Sequence, residues 1–287
     1  MQCTQVCPVQ ALSGQARSLA LLVQLWMFHP GRRLSLPRRA TQPARADAAT
    51  ISLKRRWSTS GKSAWLKGVM NDFHGNNAKR QGYRSRAAAK LVQLDERFKL
   101  LRPGQTVVEL GAAPGSWTQV AVQRVNSCVS PMEAKSKQGS VIAADINRMD
   151  PVKGATVLQL DLTDPSDVSV LRHHLQTAAK AGTPQCDVLL SDMAPATTGQ
   201  QSLDHHRSMV LGSIALRLSR DLLAPGGAAV VKVFQGGTEQ RLLRWAKLHF
   251  ETARFAKPAA SKKHSKEVFL VASGFRTSGV RTKPAEP

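Results

Sequence analysis

The sequence predicts an α/β fold built on a mainly parallel, doubly wound sheet. Short apolar runs alternate along the chain with longer segments of helical spacing, the pattern of parallel strands joined by helical crossovers. Several of those runs close on an acid, at Glu109, Asp145, Asp161 and Asp192. Strand ends that share one edge of such a sheet are where ligands bind. The first run also passes through a turn of small residues, Gly111-Ala112-Ala113-Pro114-Gly115, straight into a helical segment.

Each element has its own warrant. Residues 72–79 are polar and read as a loop or short helix. Ala88, Leu91, Leu94 and Phe98 fall at helical spacing, so residues 85–101 read as a helix ended by Pro103-Gly104. The run from Thr106 to Leu110 is a strand, and residues 118–126 form the helix after the small-residue turn. Residues 128–139 have no periodicity and read as a surface loop. Strands follow at 141–144, 157–160 and 188–191, with a helix at 165–179 between the last two. A long helix over 203–223 is stopped by Pro225-Gly226-Gly227. Residues 228–233 are a buried β-branched strand, 238–249 a helix, and 252–256 and 268–272 two last strands, one of them antiparallel.

Composition narrows the partner. The 287 residues are 42% hydrophobic, enough for one domain with a real core and an appendage. Lys+Arg 41 against Asp+Glu 19 leaves a net charge of +22. Up to residue 60 there are nine basic residues against the single acid Asp47, and removing that net eight leaves +14 of the +22. The excess belongs to the folded part, and a polyanion, first of all nucleic acid, is its natural partner. Residues 1–60, rich in Arg and Ala and almost free of acids, read as a mitochondrial transit peptide or a disordered basic arm. The apolar run over 19–28 is about half the roughly 20 residues that span a bilayer. Residues 61–276 form the globular domain and 277–287 a flexible tail. Cys3, Cys7, Cys128 and Cys186 make no Cys-x-x-Cys pair, which argues against a zinc site or disulfide framework and fits a reducing compartment.

The small-residue turn has Gly-x-x-x-Gly spacing, not the Gly-x-Gly-x-x-Gly that seats a pyrophosphate. It leaves room for a bulkier ligand such as S-adenosylmethionine, with Trp117 as an apolar wall. Asp145 at a strand end can accept both hydroxyls of a ligand ribose, and Asp161 an adenine amino proton; each alone is equally an ordinary turn-capping Asp. Lys232 is the more unusual residue. A lysine inside the apolar strand Val230-Val231-Lys232-Val233 is costly unless its amine reaches a cleft or a counter-ion, and a strand between helices is not an edge. Lys90 and Glu267, taken singly, are ordinary surface charges. Arg84, Arg86, Lys257, Lys262, Lys263 and Lys266 are candidates for phosphate contacts.

Six ordered motifs then carry a family resemblance. They are Arg84-Ser85-Arg86-Ala87-x-x-Lys90-Leu91, Gly111-Ala112-Ala113-Pro114-Gly115-x-Trp117, Ser191-Asp192-Met193-Ala194-Pro195, Leu223-Ala224-Pro225-Gly226-Gly227, Lys232-Val233-Phe234-Gln235-Gly236 and Ser265-x-Glu267-Val268. Over about residues 70–275 the chain closely resembles the FtsJ/RrmJ family of RNA ribose 2′-O-methyltransferases, and with its N-terminal segment the mitochondrial ribosomal RNA branch, which acts on a uridine of large-subunit rRNA. The resemblance implies a Rossmann-like class I S-adenosylmethionine-dependent fold. It implies a catalytic tetrad at Lys90, Asp192, Lys232 and Glu267, with Lys232 as general base, made neutral by burial and by the like charge of Lys90. It places S-adenosylmethionine against Gly111, Pro114, Gly115, Ser116, Trp117, Asp145, Asp161, Leu162 and Asp192, with no metal. Ala196, Phe269 and Ala88-Ala89 depart from the family pattern, on what is expected to be the RNA side. Two rival readings are a non-catalytic rRNA-binding assembly factor and an enzyme acting on tRNA outside mitochondria.

Overall fold

The structure, a computed structural model, describes residues 78, 80–128, 137–178, 185–262 and 264–277. The proposed transit segment, nearly all of residues 72–79, most of the loop over 128–139, Lys263 and all of the tail but its first residue lie outside these.

The described elements are α1 (Ala87–Phe98), β1 (Thr106–Leu110), α2 (Ser116–Val125), β2 (Ser140–Asp145), β3 (Ala155–Gln159), α3 (Pro165–Ala178), β4 (Cys186–Ser191), α4 (Gln201–Leu222), β5 (Leu223–Phe234), α5 (Gln240–His249), β6 (Phe250–Ala256) and β7 (Glu267–Phe275). One seven-stranded sheet runs in the order β3-β2-β1-β4-β5-β7-β6. Strands β1 to β5 pair in parallel, and β7 is inserted antiparallel between β5 and β6. Lys232 is therefore on an interior strand.

Both faces of the sheet are covered, which is why its strands are apolar at nearly every position. Side chains of alternate residues point to opposite faces. Val107, Val188, Leu190, Val230 and Val271 pack with Ala88, Leu91 and Leu94 of α1 and with Trp117, Val120 and Val125 of α2. Their neighbours Val108, Leu189, Val231 and Leu270 pack on the other side with Leu171 of α3, Leu216 of α4 and Leu242 of α5. No helix among the described residues is long and apolar enough to cross a membrane.

Among the boundaries that differ from the sequence reading, two have a plain physical cause. Helix α1 ends before Pro103, because Lys99 turns left-handed (φ 54°) and its N–H caps the Asp95 carbonyl. That lets Leu100 and Leu101 drop into the core. Likewise, Pro225-Gly226-Gly227 does not stop α4. The helix gives way to β5 at Leu223, and these residues form an irregularity within that strand, where the register to β4 slips between Cys186 and Val188.

Candidate active site

The chain reverses its direction of winding between β1 and β4, which opens a crevice at the C-terminal ends of those strands. Lys232 shares the face of Val230, and Glu267 that of Val271, so both point toward α1. Their strands pair Lys232 with Phe269 and Phe234 with Glu267, which brings the two charges to the same end of the sheet. Lys90 reaches down from α1 to meet them.

The four charges form two ion pairs. Lys232 Nζ stands 2.8 Å from Asp192 Oδ1 and also donates to the Asp192 carbonyl oxygen. Lys90 Nζ lies 2.6 Å from Glu267 Oε1. Lys232 and Glu267 are buried, at 8% and 9% exposure, which answers the cost of a lysine within an apolar strand: its ammonium is neutralised where it ends. Burial works to raise the Glu267 carboxyl, but the hydrogen bond and charge of Lys90, with the charge of Lys232, outweigh it and hold the group below the usual carboxylate range. The charge of Lys90 is thus met by Glu267 and that of Lys232 by Asp192, with Glu267 feeling both lysines.

The loop after β1 is held from three sides. A side chain on Gly111 (φ +73°) would lie 2.7 Å from the Met193 backbone, so only glycine lets this loop cross the segment that carries Asp192. Ala113 N–H donates to Asp145 Oδ2 at 2.9 Å, while Asp145 Oδ1 accepts from the backbone and side chain of Asn147. Three of roughly four lone-pair sites on Asp145 are used, so the expected acceptor for two hydroxyls has room for one. Asp161 Oδ1 accepts from Thr163 N–H and Oγ1 in a turn cap, leaving its second oxygen without a partner among the described residues.

Several predicted contacts are recast by packing. Trp117 is not a crevice wall: it is 1% exposed, its Nε1–H donates to the Ala87 carbonyl at 2.8 Å, and its ring sits 5.6 Å from that of Phe269. Leu162 packs in the core beside α3. Ser116 Oγ is 2.7 Å from Ser85 Oγ, which ties α2 to the segment before α1, and Pro114 is exposed at the loop tip. Phe269 and Ala88 belong to the core and not to an RNA-facing surface, whereas Ala196 is exposed.

The basic residues divide in the same way. Arg84 is no free phosphate ligand, since its guanidinium donates to the carbonyls of Pro114, Asp150 and Pro151 at 2.7–2.8 Å and clamps the loop. Arg86 donates to the Ala260 carbonyl, tying the loop before β7 to α1. Lys257 donates to the Ser265 carbonyl and Lys266 to Gln201 Oε1, and both are exposed, as is Lys262.

Sequence reasoning noted Glu109 only as a strand end. It lies on the same face as Val107, 1% exposed, with Thr118 Oγ1 donating to Oε2 at 2.6 Å and no partner for Oε1. Burial, with the nearby charges of Asp192 and Asp145, pushes its carboxyl up to about 8 despite the Thr118 hydrogen bond. The signal was available: an acid within a buried strand is as costly as Lys232. Among the described residues no group of three or more His, Cys, Asp or Glu side chains is placed to hold a metal ion.

A crevice at the strand ends, two lysine–carboxylate pairs and a glycine-dependent loop leading into a helix suit transfer of a group between two bound ligands. Known proteins agree with that reading. The model of the FtsJ-like methyltransferase family matches residues 83–275. A Ribosomal RNA large subunit methyltransferase E of Parvibaculum lavamentivorans is 44% identical over 236 residues, 82% of this chain and 90% of its own. Its namesake in Paramagnetospirillum magneticum is 48% identical over 225 residues, 78% of this chain and 86% of its own. A solved structure described as a ribosomal RNA methyltransferase of Plasmodium falciparum aligns with a TM-score of 0.56 at 26% identity, over 67% of this chain and 98% of that one. With the match running unbroken from the helix that carries Lys90 through the strand that carries Glu267, this chain belongs to the FtsJ-like methyltransferase family.

Proposed function

We propose that this protein methylates the 2′-hydroxyl of a ribose, a uridine, in mitochondrial large-subunit ribosomal RNA, and so supports ribosome assembly. The observation that carries the reading is the pairing of Lys232 with Asp192 and of Lys90 with Glu267 in one crevice, in a chain whose relatives are named ribosomal RNA large subunit methyltransferases. The mitochondrial part rests on the Arg-rich, nearly acid-free residues 1–60.

The crevice fits S-adenosylmethionine. Asp145 keeps one open acceptor site and Asp161 an open oxygen, as a ribose hydroxyl and an adenine amino group need. Glu109 Oε1 is a buried polar atom with no partner, and α2 presents its N-terminal N–H groups beyond Gly115. When bound, S-adenosylmethionine supplies an electrophilic methyl group. This chain's residues handle the nucleophile: a ribose hydroxyl holds its proton at neutral pH, and in this reading an uncharged Lys232 takes it. Asp192 orients the Lys232 amine through both its carboxylate and its carbonyl. Lys90 and Glu267 fix each other at the crevice rim, where they position the ribose. The positive charge of the domain draws in the RNA.

Asp145→Ala is expected to weaken S-adenosylmethionine binding about 10- to 100-fold, because it removes a charged acceptor and frees the Ala113 loop it holds. Asp161→Ala should cost less, and calorimetry giving equal affinities for wild type and Asp145→Ala would remove this assignment.

The function is tested by mapping 2′-O-methylation in mitochondrial large-subunit RNA from cells with and without the protein. One ribose should lose its methyl group and regain it with the wild-type chain but not with Lys232→Ala. If every mitochondrial site persists, the target is elsewhere. A reporter fused to residues 1–60 should reach mitochondria.

A further inference from the structure

Just past the paired ends of β5 and β7 lies a cavity of about 550 Å³ lined by Gln200, Gln201, Ser202, His205, Gln235, Gly236 and Lys266. Its position follows from the β5–β7 register. Phe234 and Glu267 are the last paired residues, so Gln235 and Lys266 are the first beyond the sheet, joined by a hydrogen bond from Gln235 N–H to the Lys266 carbonyl. Gln235 is three residues past Lys232, about 10 Å of extended chain.

The lining residues are exposed except for His205, and buried polar groups behind them, which the methyl-transfer chemistry does not use, shape the segments that carry them. Asp204 accepts from Thr198 N–H and Oγ1 and from Gly199 N–H, which shapes the loop leading to Gln200. Glu239 Oε2 accepts from the N–H groups of Gly236 and Gly237 and pins the turn after Gln235. The ring of His205 bridges the Phe234 carbonyl and Thr238 Oγ1, so it is a wall with both nitrogens engaged. A side chain on Gly236 would meet that ring at 2.3 Å, so the two walls are in contact. Against this frame the side-chain amides of Gln200 and Gln235 are exposed, with no partner among the described residues, and the exposed Lys266 donates to Gln201 Oε1.

An amide offers a donor pair and an acceptor side by side, the complement of a base edge, and an ammonium beside it meets a phosphate. We propose that this cavity holds the base of a nucleotide adjoining the methylated one, read by the amides of Gln200, Gln201 and Gln235, with Lys266 on its phosphate. The inference rests on the RNA-methylating function proposed above and adds a sequence-reading subsite to it.

The test is equilibrium binding of eight-residue oligo(U), oligo(C) and oligo(A) to the full chain, across a salt series. Wild type should favour one homopolymer by about tenfold, the discrimination of one well-placed amide–base pair. The triple variant Gln200→Ala/Gln201→Ala/Gln235→Ala should bind all three alike, with an unchanged melting temperature and S-adenosylmethionine affinity showing that it is folded. Lys266→Ala should weaken all three equally and lower the salt slope by about one. A triple variant that keeps the wild-type ranking, or a wild type that has none, overturns the subsite. Methyl transfer by wild type to ribosomal RNA is measured alongside: its absence counts against the proposed function, whatever the ranking of the oligonucleotides.

Discussion

Lys232→Ala is expected to cut methyl transfer by about 10²–10⁴-fold, the usual contribution of a general base, while S-adenosylmethionine affinity stays within a few-fold of wild type. The asymmetry follows from the geometry. Lys232 closes the crevice from β5, whereas the loop after β1 and the turns after β2 and β3 form the opposite part. Lys232→Arg should not rescue the rate, because a guanidinium keeps its proton at any working pH and cannot accept another. Either variant disturbs Asp192, whose carboxylate is 2.8 Å from the amine, so thermal melting must accompany the kinetics. Single-turnover rates near wild type in a folded Lys232→Ala protein would remove the base from this residue.

Glu109→Gln is expected to flatten the pH dependence of stability. The folded carboxyl is pushed up to about 8 from 4.5, first by burial and then by Asp192 and Asp145. Below pH 4.5 the group is protonated in folded and unfolded chains, and its contribution is fully present. Between pH 4.5 and 8 the unfolded chain ionises while the folded one keeps its proton, so stability falls as pH rises. By about pH 8 the loss is complete, on the order of 4–5 kcal/mol at 1.36 kcal/mol per pKa unit. Glutamine matches the neutral carboxyl in shape and can keep the Thr118 hydrogen bond. Urea unfolding at pH 6, 7 and 8.5 should show wild type losing stability across the series and Glu109→Gln holding level, and so the more stable of the two at pH 8.5. Parallel curves would mean that Glu109 ionises freely in the folded protein.

Much of this was legible in the sequence. Alternating apolar runs and helical spacings imply a parallel sheet because both patterns are local: each residue's burial is set by neighbours two, three or four positions away. The unusual character of Lys232 was legible for a related reason, since a charge inside an apolar β-branched strand needs a partner wherever the chain goes. Six ordered motifs pointed to the family, and the match over residues 83–275 agrees with them.

What only the tertiary structure decided is which partner each charged or polar group meets. Asp192 lies 40 residues from Lys232, and Glu267 far from Lys90 in the chain, so no spacing rule could have joined Lys232 to Asp192 and Lys90 to Glu267. Arg84 looked like a phosphate ligand because an arginine's charge is visible in sequence and its hydrogen bonds are not; packing spends its donors on Pro114, Asp150 and Pro151. Trp117 looked like a cofactor wall beside a ligand loop, yet the first turn of α2 aims it inward at Phe269. The orphan oxygen of Glu109 and the amide-lined cavity beyond Glu267 likewise exist only once β1, α2, α4, β5 and β7 are assembled. Local sequence sets which residues face the core, whereas a hydrogen bond depends on directions and distances to within a few tenths of an ångström, which are defined only by the packed fold.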